Sequence, residues 1–192
     1  MKINAGTLSL LNLTILVLLL VQLVSCEKDK FSGDVVSDPQ LVSELRSRSV
    51  DTLSFKSYKY IIETELCRDF FPGGPINKKS PLIASIYLVN IDSLPVSKEL
   101  EIKKLYVIKN QQIWIASLSD GVQQYVPVFK LEKLNNNGPE WDTGIFVDII
   151  IEIQSIVTTE RFFLISRNRC IERPIYQIVS RTNARIISRL YH

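Results

Sequence analysis

Histidine is almost absent from this chain: the single one, His192, is the last residue. A Ser-His-Asp or Cys-His arrangement needs its imidazole held rigidly beside a nucleophile, which a terminal residue does not provide. The same scarcity removes multi-histidine metal sites. No Cys-x-x-Cys, Walker A loop or Gly-x-Gly-x-x-Gly occurs, so the common redox, nucleotide and dinucleotide signatures are missing as well. Neither sign of charge dominates. Apart from Lys2, the first 25 residues are uncharged, and residues 26–192 carry 22 basic against 20 acidic side chains, a balance of +2. A dedicated nucleic-acid binder shows a strong basic excess, and long charged tails are excluded in the same way. No cofactor, metal or nucleic-acid partner is expected.

The chemistry-bearing residues that remain are few. Glu63 and Glu65 would share one face of a strand, and Glu140, Asp142 and Asp148 gather around a loop. Two carboxylates about 5–10 Å apart perform glycosidase chemistry. Alternating charges on a strand, however, more often form its solvated face, and an Asp/Asn-rich loop is more often a turn than a calcium site. Trp114 lies between Ile113 and Ile115 and so faces away from both, as a core residue or as an exposed binding aromatic. Trp141 follows a Gly-Pro turn and is either a rim contact or a plug at the end of the domain. Glu140, Asp142, Trp114 and Trp141 are therefore the candidate binding residues, and there is no candidate catalytic residue of comparable specificity.

What the sequence does contain begins at its N-terminus. Lys2 is a positive n-region, Leu10 to Val24 an apolar stretch of about 15 residues, and Ser25 a small residue at its end. These are the three parts of an export signal, and the stretch falls short of the roughly 20 residues that span a bilayer. Leu23-Val24-Ser25-Cys26 closes it. This tetrapeptide resembles the lipobox of bacterial lipoproteins. The resemblance implies cleavage before Cys26, a thioether link from Cys26 to diacylglycerol, and a bacterial cell-envelope location, lipid-anchored, with the outer membrane as the expected site. More than one acyl chain is needed because a single chain binds a membrane only reversibly. Glu27-Lys28-Asp29-Lys30 resembles the surface-export signal of Bacteroidetes lipoproteins, departing from it at Lys30, where a second acidic residue is preferred.

Residues 26–52 are polar and poor in aromatics, and read as a tether spanning on the order of 25–30 Å. Asp38-Pro39 could cap a short helix within it. From Leu53 the pattern has period two. Tyr58, Tyr60, Ile62, Thr64 and Leu66 alternate with polar or variable positions until Phe71-Pro72-Gly73-Gly74-Pro75 breaks the chain. Further β-rich runs cover Leu82 to Asn90, Ile102 to Ile108, Ile113 to Ala116, Val122 to Leu131, Ile145 to Ile153 and Phe162 to Cys170. Lys109-Asn110-Gln111-Gln112 and Asp120-Gly121 are hairpin turns, and Asn135-Asn136-Asn137-Gly138-Pro139 is a loop. About seven short strands with turns between them predict an all-β, immunoglobulin-like sandwich over residues 53–176.

The segment from about Lys103 to Tyr176 resembles the C-terminal part of small uncharacterised Bacteroidetes lipoproteins with an immunoglobulin-like domain. The matching residues are Leu105-Tyr106-Val107-Ile108 with Trp114, Gly138-Pro139-Glu140-Trp141 before Val147-Asp148-Ile149-Ile150, and Leu164-Ile165-Ser166-Arg167-Asn168. It implies a fold and an envelope location and no particular activity.

Residues 177–192 form an extension in which Arg181, Arg185 and Arg189 fall on one helical face, as a solvated terminal helix or a membrane-surface one. With Cys26 acylated, Cys67 and Cys170 remain. In an oxidising compartment a bridge between them is expected, and closing a loop of about 100 residues is worth about 4–5 kcal/mol on the chain-entropy model; two unbridged thiols are the alternative. The leading functional expectation is a non-enzymatic envelope lipoprotein that binds a protein or glycan partner. A protease inhibitor acting through Phe71–Pro75 or Asn135–Trp141, and a carboxylate-based hydrolase, are the alternatives.

Overall fold

The computed structural model describes residues 33–68, 80–121 and 126–172. Cys26, the Glu27–Lys30 segment, Phe71–Pro75 and the 177–192 extension lie outside them. Among the described residues no helix is long and apolar enough to cross a membrane.

Ten strands and one helix occur among the described residues: β1 (Asp34–Ser37), α1 (Pro39–Arg48), β2 (Leu53–Phe55), β3 (Tyr58–Arg68), β4 (Leu82–Asn90), β5 (Leu100–Lys109), β6 (Gln112–Ala116), β7 (Ser119–Asp120), β8 (Lys130–Asn135), β9 (Phe146–Ser155) and β10 (Arg161–Cys170). They form two five-stranded sheets. Sheet 1 has the order β1-β6-β5-β9-β10 and sheet 2 the order β2-β3-β4-β8-β7. All the strand pairings within the sheets are antiparallel. The order β3-β4-β8-β7 is that of strands A, B, E and D of an immunoglobulin sandwich, and β10-β9-β5-β6 is that of G, F, C and C′. β2 and β1 are additions at one edge of each sheet.

The alternation read from β3 is the one the fold uses. Tyr60, Ile62, Thr64, Leu66 and Arg68 are buried, while Glu63 and Glu65 are exposed on the other face. Facing them across the sandwich are Leu105 and Val107 of β5, Val147, Ile149, Ile151 and Ile153 of β9 and Leu164 of β10. β9 carries three consecutive isoleucines, Ile149–Ile151, because both of its faces are covered there. Ile150 points away from the sandwich and joins Tyr106, Ile108, Ile113, Phe163 and Ile165 in a second apolar cluster on the outer face of sheet 1.

Helix α1 covers that second cluster with Val42 and Leu45. Its start is set by Asp38, whose Oδ1 accepts from the backbone N–H of Leu41 at 2.9 Å, with Pro39 in the first turn. At the far end Arg46 donates to Asp148 through Nε and Nη2, at 3.0 and 2.7 Å. The Arg48 guanidinium lies 4.6 Å from the centre of the Phe163 ring. The chain then rounds the β10 edge. The Val50 N–H donates to the Phe163 carbonyl and the Ile165 N–H donates to the Val50 carbonyl, both at 3.0 Å, before β2 enters sheet 2.

Residues 34–50, read from the sequence as part of a tether over 26–52, are thus built into the domain. Of the strand expected over Val122–Leu131, residues 122–125 lie outside the described residues, and the pairing with β4 starts at Lys130 and continues to Asn135. Pro127 lacks the N–H a ladder needs, so β8 starts only after it. Among the described residues there are ten strands where about seven were expected, the extra ones being the two- to four-residue β1, β2 and β7 at the sheet edges. Short edges limit pairing with other chains.

The expected disulfide is not present: Cys67 and Cys170 are not bridged. The register explains why. Just past β10 the chain pairs in parallel with β3, with Cys67 opposite Glu172. Cys170 is therefore two residues short of Cys67, a diagonal of about 8 Å between Cα atoms given ordinary strand spacings. That exceeds the separation a disulfide spans.

Candidate functional site

The two ends of the sandwich differ. At one end the connections β3–β4, β5–β6 and β8–β9 meet, and here the candidate binding residues from the sequence are found. Trp114, in the middle of β6, is fully buried in the inter-sheet core. Its ring extends between two glycines. A Cβ on Gly33 would come within 2.2 Å of the indole Nε1, and one on Gly138 within 2.8 Å of Cη2. Trp141 is buried too, with the Lys109 ammonium 5.5 Å from its ring centre. Its carbonyl accepts from Nη1 of buried Arg68 at 3.1 Å, while Arg68 Nε donates to the Ser80 carbonyl at 2.8 Å. Burial withdraws both tryptophans from surface contact: Trp114 is core and Trp141 plugs the sandwich.

Glu140 and Asp142 flank Trp141 and are exposed. Asp148, read with them as one cluster, is on β9, occupied by Arg46 and by the Asn168 N–H at 3.1 Å. Glu63 pairs with Lys130 on the outer face of sheet 2. Asp148 is thus engaged elsewhere than Glu140 and Asp142, Glu63 and Glu65 share the outer face of β3, and no group of three or more His, Cys, Asp or Glu side chains among the described residues could hold a metal ion. The Asn135–Trp141 loop is folded back on the domain. Asn135 is buried and donates its side-chain amide to the Ser117 carbonyl at 2.8 Å, and the Gly138 N–H donates to Leu82 at 2.9 Å.

The opposite end carries the β4–β5 connection, the residues leading into β8 and the β9–β10 turn. Of the eight large apolar side chains exposed among the described residues, five are on these segments: Ile91, Leu94, Val128, Ile156 and Val157, with Val128 71% and Val157 68% exposed. The segments are joined to one another. The Val96 N–H donates to the Val128 carbonyl at 3.1 Å, and the Ile156 N–H to the Glu99 carbonyl at 2.8 Å. Lys56, in the β2–β3 turn, pairs with Glu99 at 2.5 Å. Inside the β9–β10 turn the Thr159 N–H donates to Ser155, and Thr159 adopts a left-handed φ of 60°. The apolar side chains thus stand on a hydrogen-bonded frame.

Beside this end, at the β10 edge, is a cleft of about 540 Å³ lined by Arg48, Thr52, Ser54, Arg161, Phe162 and Phe163, among others. Beneath it Tyr106 donates its hydroxyl to Glu152 at 2.9 Å, and Arg161 Nη1 is 3.5 Å from the other carboxylate oxygen. Burial, then the hydrogen bond and charge of Glu152, push the Tyr106 phenol well above its ordinary range, against the opposing pull of Arg161 and Arg48.

Neither the loop end nor the cleft is apparent from sequence motifs. The signals were there in weaker form: Ile156-Val157 is an apolar pair inside an otherwise polar connection, and Arg48 and Arg161 are 113 positions apart and meet only because the chain rounds β10. No protein-family model, curated protein or solved structure matches the chain.

Proposed function

We propose that this protein is a lipid-anchored lipoprotein of the bacterial envelope that binds a protein partner through the loop end of its sandwich. The anchor is Cys26, on the strength of the export signal and the Leu23-Val24-Ser25-Cys26 motif. The observation that carries the binding role is the grouping of Ile91, Leu94, Val128, Ile156 and Val157 on hydrogen-bonded loops at one end. Exposed apolar side chains grouped at one end of a domain suit an interaction surface. Loops held by a rigid scaffold are where binding residues concentrate, and a preformed surface loses less conformational entropy on binding.

A photo-cross-linking residue placed at Val157 or Val128 in cells tests the reading, with Glu65 on the outer face of sheet 2 as control. One discrete adduct at both loop positions, absent at Glu65 and abolished by Ile156→Asp, is expected. No adduct, or the same adducts from all three positions, would overturn it. The anchor has its own test: Cys26→Ala is expected to lose lipid labelling and membrane retention, and unchanged behaviour would remove that half of the proposal.

A further inference from the structure

The cleft at the β10 edge is separate from the apolar loop end and does not depend on that reading. Its rim holds two guanidinium groups drawn from distant parts of the chain, Arg48 from the last turn of α1 and Arg161 from the first position of β10. Among the described residues, Arg48 is held by the Phe163 ring beneath it and by Glu44, and Arg161 by Glu152 alone. Arg48 Nη1 donates to Glu44 at 2.9 Å, an i, i+4 pair in which both side chains are about half exposed. Such a pair is worth little in water and exchanges readily for another anion. Arg161 is different. One of its nitrogens is 3.5 Å from buried Glu152, while 63% of its side chain is exposed. A guanidinium with one contact to a buried carboxylate and most of its surface open keeps donors free for a planar anion.

The rest of the lining is of another kind. Phe162 contributes aromatic surface beside the aliphatic Val50 and Leu53, Phe163 is buried under Arg48, and Thr52 and Ser54 contribute hydroxyls. The volume of about 540 Å³ is within the range of small-ligand sites, and far exceeds what a bare carboxylate would fill. Sugar rings have an apolar face suited to aromatic surface and hydroxyls suited to Ser and Thr; a ring that also carries a carboxylate matches all three components.

We infer that this cleft binds a carboxylate-bearing sugar of the uronic-acid class, its carboxylate between Arg48 and Arg161 and its ring against Phe162, with Thr52 and Ser54 within reach of ring hydroxyls. The full chain without its first 25 residues would be titrated with a glucuronic-acid disaccharide, with the same disaccharide after reduction of the carboxyl to an alcohol, and with acetate. Amide NMR shifts at Thr52, Ser54 and Phe162 report the site. The acidic disaccharide is expected to shift these amides saturably and to bind about tenfold or more tightly than either comparison ligand, with affinity falling as salt is added. Arg48→Gln and Arg161→Gln are each expected to weaken binding by about tenfold, and Arg161→Lys, which keeps charge but loses the fork, by an intermediate factor. Denaturation midpoints of these three variants and of the Arg48→Gln/Arg161→Gln double variant establish that all four are folded. Equal binding of the reduced sugar, equal binding of acetate, shifts confined to other residues, or full affinity in the folded Arg48→Gln/Arg161→Gln double variant would each overturn the assignment.

Discussion

Tyr106 donates its hydroxyl to Glu152 across 2.9 Å on the outer face of sheet 1, and both side chains are buried. Glu152 has Arg161 as its second neighbour, at 3.5 Å. Tyr106→Phe keeps the ring in the apolar cluster but removes the closer partner of a buried carboxylate. The expected cost is about 1–3 kcal/mol, read from the urea midpoint at pH 7. A midpoint shift below a few tenths of that would mean that Glu152 is satisfied by Arg161 alone.

The same hydroxyl bears on alkaline stability. Tyr87, whose hydroxyl donates to Glu132 at 3.0 Å, is pushed up to about 12 by burial and by neighbouring carboxylates, against 10.0 for the free side chain. Tyr106 is raised in the same direction. A phenol whose folded value lies above its unfolded value contributes stability that is complete below pH 10 and is lost as the unfolded chain alone releases its proton. Stability is therefore expected to fall between about pH 10 and 12. Tyr87→Phe and Tyr106→Phe should flatten that decline, as measured by urea midpoints at half-unit intervals. A decline as steep in both variants as in the parent would assign it to other groups.

Gly138 is required by close approach. A Cβ there would be 2.7 Å from both Cβ and the carbonyl oxygen of Leu82 and 2.8 Å from Cη2 of Trp114. The nearest obstacles are backbone and a fully buried ring, neither of which can swing away. Gly138→Ala is expected to destabilise the domain by about 1–3 kcal/mol and to broaden or shift the Trp114 indole resonance. A neutral substitution would show that the β8–β9 connection can move outward at no cost.

The segment that crosses sheet 1 should be separable from the rest in stability. Asp38→Ala removes the helix cap at a cost of about 1 kcal/mol, and Leu45→Ala opens the outer cluster at about 2–5 kcal/mol. In hydrogen exchange both are expected to accelerate amides of β1 and α1 more than those of β4 and β9. Uniform acceleration would indicate that the segment and the sandwich unfold together.

Both Cys67 and Cys170 are expected to be alkylated when the purified protein is denatured without reductant, because the register between β3 and the chain after β10 offsets them by two residues. Mass spectrometry counts the adducts directly. A product that takes up alkylating agent at both positions only after reduction would show that the strands slide into a different register in the oxidising compartment.

How much of this was legible depends on what each residue pattern encodes. Period-two alternation located β3, because one buried face is enough to write that pattern, and β-rich apolar runs located β4, β5, β9 and β10 to within a residue or two. Asp38-Pro39 announced the start of α1 by a purely local mechanism. Its docking was not local. Only Val42 and Leu45 of the helix are buried, too few to distinguish a packed helix from a solvated one. The better evidence was remote, in Ile149-Ile150-Ile151: three consecutive apolar residues in a strand require a cover on both faces. Trp114 illustrates the opposite case, since Ile113 and Ile115 fixed its direction correctly. The cleft had no local signature, because Arg48, Ser54 and Arg161 become neighbours only through the path of the chain around β10.

That path has a mechanical meaning. Any pull transmitted along the chain from the side of Gly33 enters the fold at β1, a four-residue strand at the margin of sheet 1. Next in line is α1, held by two buried apolar side chains and an ion pair. Behind them Leu53 begins a strand paired with β3. Peeling residues 34–52 would release roughly 60 Å of contour, at about 3.3–3.6 Å per residue, while the two-sheet body stayed closed. The strap would then act as a reserve of length, and its extension would carry Arg48 away from the cleft at the β10 edge, making occupancy of that cleft sensitive to tension.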